Sequence, residues 1–144
     1  MELKIGNNTD IIKKSQIIRH KVFVGEQGIP PELDLDGLDE KSSHALVTDN
    51  GSPIATARLY SSDGKHSVMA RVAVTEEYRG NKIAVKIINV LISHAKKSGY
   101  STIEIHAHEH LKKYYEKFGF YFIQNVEVVG KHQLIEMQLQ LNIR

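Results

Sequence analysis

The sequence lacks cysteine, tryptophan and any long apolar run. With no Cys among its 144 residues, disulfides and Cys-based zinc sites are excluded. No apolar stretch approaches the roughly 18 residues that a membrane span requires, and Met1 leads into an amphipathic strand rather than a basic and then apolar signal peptide. These absences predict a cytoplasmic protein with no membrane partner.

An excess of charge of one sign is also missing. The chain carries 19 Lys plus Arg against 17 Asp plus Glu, a net charge of +2, and its bases occur in pairs such as Lys13-Lys14 instead of a basic block. Because nucleic-acid binding needs such a block, we expect no nucleic-acid partner. A chain of this size buries roughly two thirds of its unfolded surface, which predicts a single domain over residues 1–144.

Hydrophobic periodicity predicts an α/β fold with one central mixed sheet flanked by helices. The order of elements is strand, helix, three-strand meander, helix, strand, helix and two strands. Asp10 is the predicted cap of the first helix, whose buried stripe comprises Ile11, Ile12, Ser15, Ile18 and Val22. The predicted strands are residues 2–5, 44–48, 53–60, 67–75, 102–107, 120–128 and 133–141, and the predicted helices are residues 10–24, a long one that Gly99 ends and a short one that Gly119 ends.

Residues 25–43 break this pattern and form a long acidic loop. The loop contains Pro30-Pro31 and six acids against one base, Lys41. It has two interpretations, since it could attract a cationic amine to a cleft or simply be solvated. Calcium is not expected there, because the spacing of Asp34, Asp36 and Asp39 and the missing terminal Glu do not match a calcium loop.

A polar turn follows the central strand and leads directly into the long helix. The first amide N–H groups of a helix have no internal partners and, with the helix dipole, form an anion site. Gly80 removes a side chain that would hold a phosphate off the backbone, Arg79 and Lys82 add positive charge, and Ala84 keeps the first turn slim. The turn predicts a diphosphate site, although neither GxxxxGK[ST] nor GxGxxG is present, and the alternative is a plain turn with solvated bases.

A second segment runs from His106 to Phe120 and contains Tyr-Glu-Lys-Phe-Gly-Phe. Together with the turn at Arg79, it resembles the motifs of the GCN5-related N-acetyltransferase (GNAT) superfamily. The residues that resemble the ElaA-like branch are Arg19, Val22-Phe23-Val24-Gly25-Glu26-Gln27, the acidic loop, His44, Arg58-Leu59 and the run through His110, Leu111, Tyr114 and Tyr115. The resemblance implies a GNAT-like acyl-CoA N-acyltransferase fold and acetyl-CoA as acetyl donor.

The resemblance also implies roles for individual residues. The family pattern [RQ]-x-x-G-x-[GA] falls on Arg79, Gly80, Asn81, Lys82, Ile83 and Ala84, whose amides would hold the CoA diphosphate, and Lys82 stands where the family usually has Gly. The strand segment Val72, Ala73 and Val74 would pair with the pantetheine arm. His108 falls where many members have an Asn that touches the cofactor, Leu111 is a further cofactor contact, and Tyr115 matches the Tyr beside the CoA sulfur.

Direct transfer of an acetyl group to a primary amine explains these residue types. A phenol has a pKa of about 10, so Tyr115 is protonated at neutral pH and could protonate the departing thiolate, although its helical spacing with Leu111 also fits simple packing. Glu26, His44 and His110 are candidates for the base that deprotonates the amine, as is a chain of waters. The amine itself could be a small molecule or a peptide.

Two other readings of the sequence remain beside catalysis. His106, His108 and His110 would share a face in an extended chain, but a helix that begins near His108 would scatter them, so we expect no metal. The departures at Lys82 and His108 also fit an acetyl-CoA-binding sensor or interaction module without turnover. Exposed final strands could pair two copies as a homodimer.

Overall fold

A computed structural model describes residues 1–141 and divides them into two compact units. One unit comprises Met1–Tyr60 and Arg71–Leu91, and the other comprises Ser61–Ala70 and the residues from Ile92 onward. Within residues 1–141 the strands form a seven-stranded mixed sheet in the order β1-β2-β3-β4-β5-β7-β6. The strands are β1 Glu2–Gly6, β2 Ser43–Asp49, β3 Ser52–Tyr60, β4 His66–Val74, β5 Thr102–His108, β6 Tyr121–Val129 and β7 His132–Gln140.

Three helices follow the predicted order, and a fourth, short one forms inside the stretch 25–43 that the sequence predicts to be a loop. They are α1 Thr9–Arg19, α2 Pro31–Asp34, α3 Ile83–Lys97 and α4 Lys112–Glu116, with a π-helical segment at His20–Glu26 and short 3-10 turns at Asp39–Lys41, Glu76–Tyr78 and Glu109–Leu111. No helix of the described residues is long and apolar enough to cross a bilayer.

The first helix begins earlier and ends sooner than its periodicity predicts. The predicted cap, Asp10, is wrong: the Oδ1 of Asn8 accepts a hydrogen bond from the amide of Ile11 at 2.9 Å, and Asp10 lies in the first turn. Past Arg19 the backbone continues as the π-helical segment, in which Val22 is buried as predicted. Ile12, also predicted in the buried stripe, is only partly buried.

The core of the first unit lies under α1. Ile11, Ile18 and Val22 pack with Leu46 and Ala73, and Phe23 covers their edge. The β2–β3 hairpin turns at Asn50 and Gly51, whose φ values of 50° and 84° are those of the tight turn that Asn-Gly predicts.

The second unit is built on the antiparallel β5–β7 pair. Ile103 and Ile105 of β5 and Ile135 and Met137 of β7 are buried, and the residues between them, Glu104 and Glu136, are polar. Gly119, at φ 104°, ends the short helix, and a Cβ there would meet the Cδ1 of Leu139 at 2.9 Å. No other residue fits this turn without displacing its neighbour.

Candidate active site

The backbone conformation of strand β4 changes just before the predicted cofactor-binding residues. Its parallel register with β5 covers His66–Val68, and Arg71, inside β4, has a left-handed φ of 59°. Such a conformation costs a side-chain-bearing residue about 1–2 kcal/mol, so the surrounding contacts must hold it. Val72, Ala73 and Val74 lie beyond both the paired residues and the left-handed residue.

Ion pairs to the acidic loop hold Arg71 in place. Its Nε donates to Asp34 Oδ1 at 3.1 Å and its Nη2 to Asp36 Oδ2 at 3.2 Å. These contacts belong to a network, here called the Arg–Asp cluster, that comprises Arg19, Arg58 and Arg71 with Asp34, Asp36 and Asp39. Three of the six loop acids are therefore paired with arginines; Asp34 and Asp39 are buried, which excludes solvation for these two, whereas Asp36 is exposed.

Arg19 is the most deeply buried member of the Arg–Asp cluster, with 0% exposure. It donates from Nη1 to Asp39 Oδ1 at 2.7 Å and from Nε to Asp34 Oδ1 at 3.0 Å. Burial alone would raise the pKa of Asp39, but hydrogen bonds from Arg19 and Gln16 outweigh it and hold that pKa well below its usual range. The loop is thus fastened by ionised carboxylates.

His44, one of the three predicted bases, is also enclosed at this point. Its side chain is 0% exposed, and Nε2 lies 2.8 Å from the carbonyl oxygen of Asp39. Burial lowers the pKa of His44, which keeps the ring neutral. This enclosure argues against contact between His44 and a substrate amine and makes it a support of the loop.

The turn before α3 has the backbone of an anion site. Gly80 and Lys82 have φ values of 86° and 59°, and the bond from Lys86 N to Lys82 O, at 3.3 Å, closes the first turn of the helix. The amides of residues 83–85 precede that bond, so they have no partner within the helix. A Cβ built on Gly80 would meet nothing within 4 Å, so the space beside this glycine is open.

The two bases of this turn have different tasks. Arg79 donates from Nε to Val74 O at 2.9 Å and from Nη2 to Glu26 Oε1 at 2.7 Å, so it braces the turn instead of offering a free charge as predicted. Glu26, a predicted base, is thereby an ion-pair partner. Lys82 is exposed and forms no ion pair with the described residues, which leaves its charge available.

Tyr115 lies in the second unit, on α4. It is 9% exposed, and its ring packs edge-on against Tyr114 and Phe120 with centroids 5.2 and 5.9 Å away. Burial, with a smaller contribution from Tyr114, raises the pKa of Tyr115 to about 12. The phenol is therefore protonated at neutral pH, and the packing interpretation of its spacing is compatible with a role as proton donor.

The comparison with known proteins identifies the family. The model of the acetyltransferase (GNAT) family matches residues 16–120. This chain belongs to the GNAT family. Escherichia coli (strain K12) protein ElaA is 31% identical to this GNAT chain over 107 residues, which cover 72% of the chain and 70% of ElaA. The resemblance to the ElaA-like branch is confirmed.

A further relative is named as an N-acetyltransferase, and solved structures share the fold. Bacillus subtilis (strain 168) YjcF, named as an uncharacterized N-acetyltransferase, is 28% identical, with 88% of this chain and 90% of YjcF covered. The crystal structure of E. coli ElaA has a TM-score of 0.86 at 26% identity, with 96% and 99% of the two chains covered. An aminoglycoside 6′-N-acetyltransferase complexed with coenzyme A has a TM-score of 0.78 at 13% identity, covering 100% and 99%, a likeness of fold alone.

The predicted scattering of the histidine run in this GNAT chain holds only for His106, because His108 and His110 lie together. Strand β5 continues through His108, and the helical turn begins only at Glu109. His106 Nε2 pairs with Glu104 Oε2 at 2.8 Å, whereas His108 and His110 are joined by His132 at the start of β7. Sequence reasoning missed His132, because only the β5–β7 register brings it to this end of the sheet.

Proposed function

We propose that this GNAT protein transfers the acetyl group of acetyl-CoA to a primary amine by direct attack within a ternary complex. The observation that carries the proposal is the turn from Arg79 to Ala84. Its open amides, its glycine at φ 86° and its uncommitted Lys82 suit a diphosphate. In this proposal Lys82 supplies the positive charge that faces the diphosphate, because the charge of Arg79 is paired with Glu26.

The remaining residues divide the chemistry between them. The backbone of Val72, Ala73 and Val74 orients the pantetheine arm, and an amide of this segment stabilises the negative oxygen that forms on the acetyl carbonyl. The amine nitrogen bonds to the carbonyl carbon as the carbon–sulfur bond breaks. No acyl-enzyme is required, in keeping with the absence of Cys.

Proton transfers complete the reaction. Tyr115 gives its proton to the departing thiolate; burial raises its pKa to about 12, which keeps the phenol protonated at neutral pH but also makes it a weaker acid. Glu26, at the surface beside Arg79, and the exposed His110 are the candidates to take the proton of the amine, directly or through water. His108 and Leu111 remain proposed contacts of the cofactor.

The proposal extends to the organisation of the protein. The family match at residues 16–120 runs through both compact units, which supports one catalytic domain. Strand β6 ends the sheet and exposes apolar side chains along its length, with Val128 at 65%. This edge supports pairing of two copies, which sedimentation of the wild type against Val128→Lys tests: a monomeric wild type refutes it.

Calorimetric titration with acetyl-CoA tests the diphosphate site. Gly80→Glu places bulk and negative charge at the turn and should abolish detectable binding. Gly64→Glu is the matched control, because Gly64 also has a positive φ, 76°, and open space around it. Binding that Gly80→Glu leaves intact, or that Gly64→Glu weakens equally, would remove the diphosphate from this turn.

A further inference from the structure

Three imidazoles converge at one end of the β5–β7 pair. His108 is the last residue of β5, His132 the first of β7, and His110 lies in the turn that follows β5. A ring nitrogen of each lies within 4.8 Å of the others. Ring centroids are 4.6 Å apart for His108 and His132, and 5.5 Å apart for His108 and His110.

The backbone register fixes this convergence. His108 pairs with Leu134, so His132 lies two residues along β7 on the same face as His108. His110 lies in the 3-10 turn Glu109–Leu111 directly after β5, where its ring nitrogen lies within 4.8 Å of those of His108 and His132. The three side chains are thus presented together by paired strands and the adjoining turn.

The distances between the three ring nitrogens suit a metal ion once the side chains move slightly closer together. A metal bound at about 2.0–2.1 Å to each nitrogen requires nitrogens no more than about 4.2 Å apart. Because His110 and His132 are exposed, rotation of their side chains can supply the remaining shift. His108 is half-buried and is the least mobile of the three.

The donor atoms of the cluster also suit a metal. None of the three rings has a hydrogen bond within residues 1–141. Uncharged imidazole nitrogens select zinc, copper, nickel or cobalt over magnesium and calcium, which prefer oxygen.

We propose that His108, His110 and His132 form a binding site for one divalent transition-metal ion of the zinc class, whose occupation would exclude the roles of His110 as a base and of His108 as a cofactor contact. Three protein ligands leave a fourth position open to water or another small ligand. A neighbouring group of Glu104, His106 and Glu136 has equally close donor atoms. That group is already satisfied internally, because His106 pairs with Glu104 and the amide of Gln124 donates to Glu136 Oε1 at 3.0 Å.

The test uses full-length protein without a polyhistidine tag, treated with chelator and then freed of it. Calorimetry with Zn²⁺ should give one site, and Co²⁺ in its place should give the strong visible absorption of a low-coordinate complex. His132→Ala should weaken Zn²⁺ binding by at least about tenfold, since even mutation of a residue that only hydrogen-bonds to a metal ligand lowers metal affinity by that factor. Zn²⁺ should also raise the Tm of the wild type and not that of His132→Ala.

Two control variants test whether Zn²⁺ binds at His108, His110 and His132 or at another histidine. His20→Ala removes an exposed histidine of the first unit and should bind Zn²⁺ like the wild type. His106→Ala should also retain binding. Absence of a one-site isotherm, equal binding by His132→Ala, or loss of binding only in His106→Ala would each overturn the proposal. Because His132 is exposed, His132→Ala should fold, and His110→Gln provides an independent variant with the same expected loss.

Discussion

Replacement of Lys82 by Gly is expected to raise the stability of the protein and to lower its affinity for acetyl-CoA. Lys82 has a φ of 59°, and a left-handed conformation costs an ordinary residue about 1–2 kcal/mol. Glycine avoids that cost but loses about 0.5–1 kcal/mol of chain entropy on folding. Lys82→Gly should therefore raise the free energy of unfolding by about 0.5–1 kcal/mol, measured by urea denaturation.

The same change should weaken the binding of acetyl-CoA. An exposed charge pair contributes up to about 1 kcal/mol, so the Kd should rise by as much as about fivefold at low salt, and by less at high salt. Lys82→Met separates the two effects, because it keeps the left-handed side chain and removes the charge: stability should stay constant while affinity falls. Tighter binding of acetyl-CoA by Lys82→Gly would contradict a favourable contribution of the Lys82 charge and show that this side chain crowds the phosphates.

Three further outcomes follow from the structure. Tyr115→Phe should lower kcat by about 10- to 1000-fold while calorimetry shows unchanged acetyl-CoA binding, and an unchanged kcat removes Tyr115 from proton transfer. Arg19→Met leaves Asp39 buried without its main partner and should lower the free energy of unfolding by about 3–5 kcal/mol in urea denaturation. A loss below about 1 kcal/mol would show that the ion pairs of Arg19 do not hold the loop. The depressed pKa of Asp39 adds stability that is complete above about pH 5 and declines as pH falls, because the unfolded carboxyl takes up its proton near pH 4. Unfolding free energies from pH 3 to 7 should show this decline in the wild type and a shallower one in Arg19→Met.

The alternating and helical periods predicted the order of elements, because each exposes one face and buries the other. The cap of α1 escaped this reasoning, since Asn8 and Asp10 both suit a cap and only the path of the chain decides between them. Burial of Arg19 was also invisible, because its partners lie 15 and 20 residues away in a loop whose fold the sequence does not reveal.

The candidate site shows the same division between local and distant information. The turn before α3 was predictable because a glycine, a base and the start of a helix are adjacent in the chain. The engagement of Arg79 by Glu26, 53 residues away, was not. Likewise His132 joins His108 only through a strand register that hydrophobic patterns leave undetermined.

Initial-rate kinetics test the central claim most directly. Acetyl-CoA is varied against a panel of a polyamine, an aminoglycoside, lysine and a peptide with a free N-terminus, and release of the CoA thiol is followed. Direct attack in a ternary complex predicts thiol release with at least one amine, acetylation of its nitrogen, and intersecting double-reciprocal lines. Parallel lines would contradict direct attack in a ternary complex, because they report a covalent intermediate. Cofactor binding without thiol release above the amine-free background would contradict catalysis and leave an acetyl-CoA sensor.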